Sequence, residues 1–414
     1  MSIVHAQSGA DVGAAPIARR VKVTCSACSS SHVEFAIELK KLPLTGVFLD
    51  RPNPGLVHEY DQGLCVCADC GHAQLRNCLA PEAVYDQTYF HRSSSSRLAR
   101  NGNDAFARFV RSVVGTRSFQ CLLEIGANDL YLIEQIRDLA VAAVGLDPIW
   151  KQEVPPQRAN VQVLGKFVEE LSHHDLPAAP DLVISVQTFE HVDEPVEQLA
   201  RIVDLSADDA IIFLEVPDFG SLLRNLRFDQ VFHQHIQYFS LSSLLRLIEL
   251  LGCSYLAHSV NYRYWGGALG VAFRKRARAE VGPTTNAVPH TNAPTSSEVK
   301  NRFIEFRRHV SEIMHQISQL PTREIYGFGG AQMVPTLAYH MKSDLSFLRA
   351  ILDDDPHRNR LRYPGLAVEI RNPTPRERLD ESAVLITAVD SARPIMRRVL
   401  ELNPQHIIVP FPGL

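Results

Sequence analysis

CLLEIGAND, residues 121–129, runs into LYLIEQIRDL, 130–139, and then AVAAVGLDP, 140–148, and this stretch decides the fold. It opens as an apolar run broken at Gly126, continues with apolar residues at helical spacing, and ends as a second apolar run that stops on Asp147. Two short apolar runs joined through a turn and an amphipathic helix predict parallel strands with a helical crossover. DLVISVQ, 181–187, and AIIFLEVP, 210–217, supply further strands. Strands separated by helices predict a doubly wound α/β sheet, whose ligands lie beyond the carboxyl ends of the strands.

At the first strand end stand Glu124, Gly126, Asn128 and Asp129, at the second Asp147, and at the next Gln187. A glycine there lets a ligand approach the backbone, and an acid about 20 residues on accepts both hydroxyls of a ribose. This pattern serves NAD and S-adenosylmethionine (SAM) alike. EIGANDLY has a single glycine where a pyrophosphate cradle uses three, and SAM has no phosphate to cradle. SAM is therefore the expected cofactor, held by Glu124, Gly126, Asn128, Asp147 and Gln187.

At 414 residues, 45% hydrophobic and 21% charged, the chain can bury two or three cores. A formal charge of −4 offers no basic field for a polyanion, so nucleic acid is not an expected partner. No apolar run approaches the roughly 18 residues of a membrane span. Residues 1–20 lack an apolar core behind a basic start and read as a flexible leader, so a cytoplasmic protein is expected. The sequence sets no oligomeric state.

Cys25 and Cys28 form one C-x-x-C, and Cys67 and Cys70 form a second in CVCADCGHAQL. Two such knuckles can close a tetrahedral thiolate site around zinc, which would stabilise a segment, 21–90, too short for a large core. Cys65 is a competing neighbour, whereas Cys78, Cys121 and Cys253 sit among apolar residues and read as small core side chains.

FDQVFHQHIQYF, 228–239, crowds aromatics around an H-x-H pair. In an extended segment His233 and His235 point the same way. With His191, delivered by QTFEHVDEP after the strand ending at Gln187, three imidazoles are expected at one mouth. Metal ligation by these rings with Asp129, and plain burial as hydrogen-bonded core histidines, are the alternatives. Between the two rings stands the amide of Gln234 rather than a carboxylate, so proton handling is the leading reading.

AEVGPTTNAVPHTNAPTSS, 279–297, reads as linker. Val299, Phe303, Phe306, Val310, Ile313, Ile317 and Leu320 then recur at spacings of three and four, predicting a helix with one apolar face. EIYGFGGAQMVPTLAYH, RAILDDDP, AVLITAVDS and HIIVPFP are the parts of a second doubly wound unit, 298–414. Gly327, Gly329 and Gly330 do not keep the G-x-G-x-x-G spacing, and Arg358, Arg360 and Arg362 are candidate diphosphate partners.

Taken together, CADCGHAQL, HRSSSSRL, EIGAND, the His191 motif, FDQVFHQHIQYFSL, WGGALGVAF, YGFGGAQMVPTL and IIVPFP resemble the SAM-dependent nucleotide-sugar C-methyltransferases of the deoxysugar 3-C-methyltransferase type. The resemblance runs from residue 21 to 412. It implies a class I methyltransferase domain, 91–278, flanked by an N-terminal zinc-binding module, 21–90, and a C-terminal Rossmann-like domain. It also implies methylation of a carbon beside the keto group of a nucleotide-linked, TDP-type 4-keto deoxysugar. His235 matches the family's base, His191 the residue that polarises the keto oxygen, and His233 and Gln234 their neighbours. Tyr89, His91, Phe232, Tyr238 and Trp265 match its sugar pocket.

The departures cluster at the chemistry. Where the family has Tyr-His-Glu-His, this chain has Phe232, His233, Gln234 and His235. His91 stands for a tyrosine, Leu130 for a glycine and Trp265 for a histidine. The substitutions keep three alternatives open: a catalytically silent SAM-binding or sugar-nucleotide-binding protein, an O- or N-methyltransferase, and an NAD-dependent sugar oxidoreductase.

Overall fold

The computed structural model describes residues 18–80, 84, 92–94, 96–151, 153–276, 289 and 291–411. Tyr89, His91 and most of the proline-rich and threonine-rich segment therefore lie outside the described residues. Five strands come first: β1 (Ala18–Val21), β2 (Val33–Pro43), β3 (Glu59–Cys67), β4 (Ala73–Leu75) and β5 (Asn77–Leu79). The middle of the chain holds α1 (Arg97–Val114), β6 (Phe119–Ile125), α2 (Tyr131–Ile136), β7 (Ala140–Leu146), β8 (Val161–Leu164), β9 (Leu182–Val186) and α3 (Pro195–Leu205). It continues through β10 (Ile211–Pro217), α4 (Phe219–Arg224), β11 (Gln237–Tyr238), α5 (Leu241–Leu250), β12 (Cys253–Asn261) and β13 (Ala268–Lys275).

Seven strands form the central sheet in the order β12-β13-β10-β9-β6-β7-β8. β13 runs antiparallel to both neighbours, and β10, β9, β6, β7 and β8 are mutually parallel. This is the class I methyltransferase form of the doubly wound sheet, reversed strand included. Its order changes direction between β6 and β9, so the carboxyl ends of these two strands flank the crevice where such sheets bind ligands. The strands are apolar on both faces, as burial between two helical layers requires. Gly102 in α1 has a backbone reason: a Cβ there would lie 2.6 Å from the ring of Tyr264.

A third group follows: α6 (Ser296–Ser318), β14 (Ile325–Phe328), α7 (Val334–Met341), β15 (Ile351–Leu352), β16 (Ile370–Arg371), β17 (Ala383–Ile386), α8 (Ala392–Glu401) and β18 (His406–Ile408). Its five strands are parallel in the order β16-β15-β14-β17-β18. The apolar stripe of α6 buries Val299, Phe306, Val310, Ile313 and Ile317.

That stripe does not serve the C-terminal sheet alone. One continuous core joins Ile37, Leu39, Leu42 and Leu64 of the N-terminal strands, Phe228 and Val231 of the middle segment, the α6 stripe, and Ile351 and Leu385 of the C-terminal sheet. The sequence reads as separable modules, whereas packing welds the first and last of them through α6. The N-terminal sheet also borrows a strand, since its order is β11-β4-β3-β2 and β11 comes from the histidine segment. Among the described residues no helix is long and apolar enough to cross a membrane.

Candidate active site

The β6 turn is built for a close neighbour. Gly126 has φ +76°, and a Cβ there would lie 2.1 Å from Thr188 Oγ1, on the turn that follows β9. Leu130, where the family has glycine, still adopts the left-handed backbone with φ +68°. It buries its side chain against Gly145, which has no Cβ to meet it. The departure is thus absorbed without changing the turn.

Asp147 accepts the backbone N–H of Asn128 at 2.8 Å and of Ile149 at 3.0 Å. Burial raises its carboxyl above the usual range, opposed by those two N–H groups. Each oxygen keeps a second lone pair for a ligand hydroxyl. Trp150 donates its indole N–H to the Asn128 carbonyl at 2.9 Å and pins the turn. Gln187 has φ +49°, and its buried amide faces the Glu215 carboxyl, which it holds down against the effect of burial. Glu124, near the end of β6, is only 3% exposed, and burial pushes its carboxyl well above the usual range against the N–H of Ile133.

The histidine segment is not extended. The His235 N–H donates to the Phe232 carbonyl at 3.1 Å, and the resulting turn sends His233 and His235 to different places. His233 donates Nε2–H to the Leu42 carbonyl at 2.9 Å, and its Nδ1 faces the Gln62 amide at 3.4 Å. Burial holds its pKa down at about 4. Gln234 is fastened to the N-terminal module by its side chain, which accepts from the Thr45 hydroxyl at 2.9 Å and donates to the Thr45 carbonyl at 3.0 Å. Both residues close the seam between modules, so neither orients His235 and the H-x-H pair cannot chelate one ion.

His191 and His235 do meet. Their ring centroids are 4.9 Å apart, edge to face, at the carboxyl end of β9. His191 donates Nδ1–H to the Gln234 carbonyl at 2.9 Å. His235 stacks on Phe232 at 4.1 Å with Trp265 at 6.5 Å. Burial, reinforced by the neighbouring His191, holds its pKa well below the ordinary value of 6.5. Phe232 and Trp265 thus lie against the His235 ring. Tyr238 does not: its hydroxyl takes the Phe232 N–H at 3.2 Å and is buried within the segment.

Two acids escaped the sequence reading. Glu190 is 1% exposed, and neither carboxyl oxygen has a side-chain hydrogen-bond partner among the described residues. Its Oε1 lies 3.8 Å from His191 Nε2. Glu215, in β10, is 3% exposed close by. Burial pushes each carboxyl up to about 8. A charged letter inside the apolar run AIIFLEVP was the available signal for Glu215. Glu190, between Phe189 and His191, offered none that separates it from a solvated acid.

Cys25, Cys28, Cys67 and Cys70 come together with all four sulfurs within 4.8 Å of one another. The Cys25–Cys70 and Cys28–Cys67 sulfurs are 3.6 Å apart. A tetrahedral zinc with bonds near 2.3 Å sets sulfurs about 3.8 Å apart, so the four thiols fit that ion. Cys65 stays outside the cluster.

In the C-terminal sheet the glycine turn is already occupied. The Gly330 N–H donates to Asp353 at 2.6 Å, and Arg358 bridges the Gly330 carbonyl and Asp353. Arg362 is paired with Glu369. Internal partners thus hold the turn's anion position and two of the three arginines.

Residues 90–258 match the family model of a methyltransferase domain. The C-methyltransferase NovU of Streptomyces niveus is 26% identical over 306 residues, 72% of this chain and 71% of that protein. The chain is a SAM-dependent methyltransferase. Among solved structures it is similar to the N-methyltransferase NodS of Bradyrhizobium japonicum WM9, at 11% identity over 44% of this chain and 99% of that one, with a TM-score of 0.34.

One consequence for the methyltransferase concerns Gly126. Alanine there must take a left-handed backbone and enter the space of Thr188, which costs at least about 1–2 kcal/mol. Gly126→Ala is expected to weaken SAM binding by about tenfold or more, read by calorimetric titration. An unchanged Kd would place SAM elsewhere.

Proposed function

We propose that this enzyme methylates a carbon beside the keto group of a nucleotide-linked deoxysugar, of the TDP-linked 4-keto type, with His235 as base and His191 facing the keto oxygen. The observation that carries this reading is the convergence of these two imidazoles at the strand edge that also presents Gly126, Asp147 and Gln187. The name of NovU, a C-methyltransferase, supports it, as does the family resemblance of the motifs.

SAM supplies an electrophilic methyl group, held by the Gly126 turn, Asp147 and Gln187. A carbon acid beside a ketone needs a base to take its proton and a donor for the oxygen that gains charge. His235, kept neutral by burial, is ready to accept. His191, its Nδ1–H held by the Gln234 carbonyl, turns Nε2 to the keto oxygen and donates to it once protonated. Phe232 and Trp265 give the sugar an apolar wall, and the four cysteines hold a structural zinc that fixes the seam behind the histidines. The C-terminal sheet would bear on the nucleotide end only by opening the Gly330–Asp353 contact.

The test is incubation of the pure protein with methyl-labelled SAM and a panel of TDP-linked 4-keto deoxyhexoses. The expected outcome is a product heavier by one methyl group that resists mild hydrolysis, as a carbon–carbon bond does. A methyl ether or amine would move the assignment to oxygen or nitrogen. SAM binding with no product would point to a silent protein.

A further inference from the structure

Glu190 is a buried acid with no side-chain hydrogen-bond partner among the described residues, and the proposed chemistry gives it no task. Orphaned buried carboxyl groups are rare in native proteins and mark strain, an ion or a catalytic role. The geometry of His191 supplies the role. Its Nδ1 faces the Gln234 carbonyl, which can only accept, so Nδ1 carries the hydrogen. In a neutral ring Nε2 then carries no hydrogen and cannot donate to a keto oxygen. To act as a donor His191 must become an imidazolium, and it needs a proton from a neighbour.

Resting on the C-methyltransferase reading, we infer that Glu190 is a proton-lending, positioning residue: its carboxylic acid, 3.8 Å from His191 Nε2, lends the proton that His191 presents to the substrate's keto oxygen. As the substrate C–H bond breaks, its proton goes to His235 and its electron pair forms the enol carbon–carbon double bond. The Glu190 proton passes through His191 to the oxygen. Glu190 is then a carboxylate and offsets the charge on His235, whose ring nitrogen lies within 4.8 Å. When the enol carbon takes the methyl group, the S–CH3 pair stays on sulfur and the keto group re-forms. The oxygen's proton returns through His191 to Glu190, and His235 releases its proton to solvent. Atoms and charge balance with SAM as the only co-reactant.

The carboxyl is suited to the task because it stays protonated at neutral pH; burial, with Glu215 nearby, lifts it to about 8. Among the described residues the groups facing it are His191 from its own turn, His235 from the following segment, and Glu215 from β10. A lender must be protonated, so activity should fall as pH rises through about 8. Glutamine at 190 keeps the shape and cannot ionise.

The experiment compares wild type, Glu190→Gln, Glu190→Asp and Glu215→Gln. TDP-4-keto-6-deoxyglucose is the probe, with pH profiles of kcat and deuterium uptake by the sugar when S-adenosylhomocysteine replaces SAM. Glu190→Gln is expected to lower kcat and uptake by about 10²-fold, to leave KM for SAM unchanged, and to lose the basic limb. Glu190→Asp should restore part of the rate, and Glu215→Gln should keep the limb. In infrared difference spectra of wild type against Glu190→Gln, a protonated carboxyl band should be present at pH 7 without substrate. A Glu190→Gln enzyme with the wild-type rate and profile, or a missing band, overturns the inference. So does a second metal ion per chain whose removal abolishes activity, because Glu190, His191 and His235 would then be its ligands. A wild type that methylates no 4-keto sugar fails at the earlier step and refutes carbon methylation itself.

Discussion

His235→Asn is expected to slow methyl transfer by about 10²- to 10⁴-fold, the usual worth of a positioned base, while SAM affinity stays at the wild-type value. Asparagine has nearly the reach of imidazole and can accept a hydrogen bond, but it cannot take a proton from carbon. The SAM turn does not touch residue 235, so the loss should fall on kcat. The pH profile carries the second half of the prediction. The His235 pKa lies well below 6.5 because burial and the neighbouring His191 disfavour its charged form. The base is therefore neutral throughout the physiological range, and the acid limb of kcat/KM in wild type should fall below pH 6.5. The same shift makes a stability statement: a histidine held neutral in the fold stabilises it fully above pH 6.5, and that contribution is lost as pH falls toward the folded value. A variant with wild-type turnover, or a wild-type acid limb above pH 6.5, would remove His235 from the role of base.

The sequence carried the central sheet because its signal is local. Short apolar runs ending in Gly126, Asp147 and Gln187 have one economical solution, a parallel sheet whose carboxyl edge carries those residues. The thiol cluster was legible for the same reason, since two C-x-x-C knuckles fix four ligands through turns of a few residues. His233 shows where this stops. A period of two assigns His233 and His235 to one side only if the backbone is extended, and a single hydrogen bond from His235 to Phe232 replaces extension with a turn. Nothing in QVFHQHI marks that turn, because its partners, Leu42, Thr45 and Gln62, lie 171 to 191 residues away in sequence. Glu190 was hidden for a related reason. Its chemistry comes from being sealed beneath the β9 turn, a property of the assembled core. Tyr238 erred in the opposite direction: a tyrosine near a catalytic histidine reads as a pocket residue, yet its hydroxyl serves the backbone of its own segment.

Cys70→Ser is expected to lose the bound zinc and to lower stability by several kcal/mol, with loss of methyl transfer as well. Structural zinc contributes on the order of 10 kcal/mol to small thiolate modules, and a module of this size has little core of its own to compensate. The effect on turnover follows from how the knuckle reaches the histidines. The Cys67 N–H donates to the His72 carbonyl at 2.8 Å. The His72 ring, fully buried against Phe239, donates to the Gln237 side chain at 2.9 Å. Gln237 in turn donates to the carbonyls of Val192 and Asp193, directly after His191. On the other side, Ile236 N–H is held by the Glu190 carbonyl at 2.9 Å, and β11 is a strand of the N-terminal sheet. The segment bearing His235 is therefore clamped between the zinc module and the β9 turn, and loosening the knuckle releases one jaw. The SAM turn makes none of these contacts, so SAM affinity should fall far less than turnover. Metal analysis should give one zinc per wild-type chain and less in Cys70→Ser, with thermal unfolding reporting the stability change. Full activity in a zinc-free, folded protein would sever the proposed link between the knuckle and the chemistry.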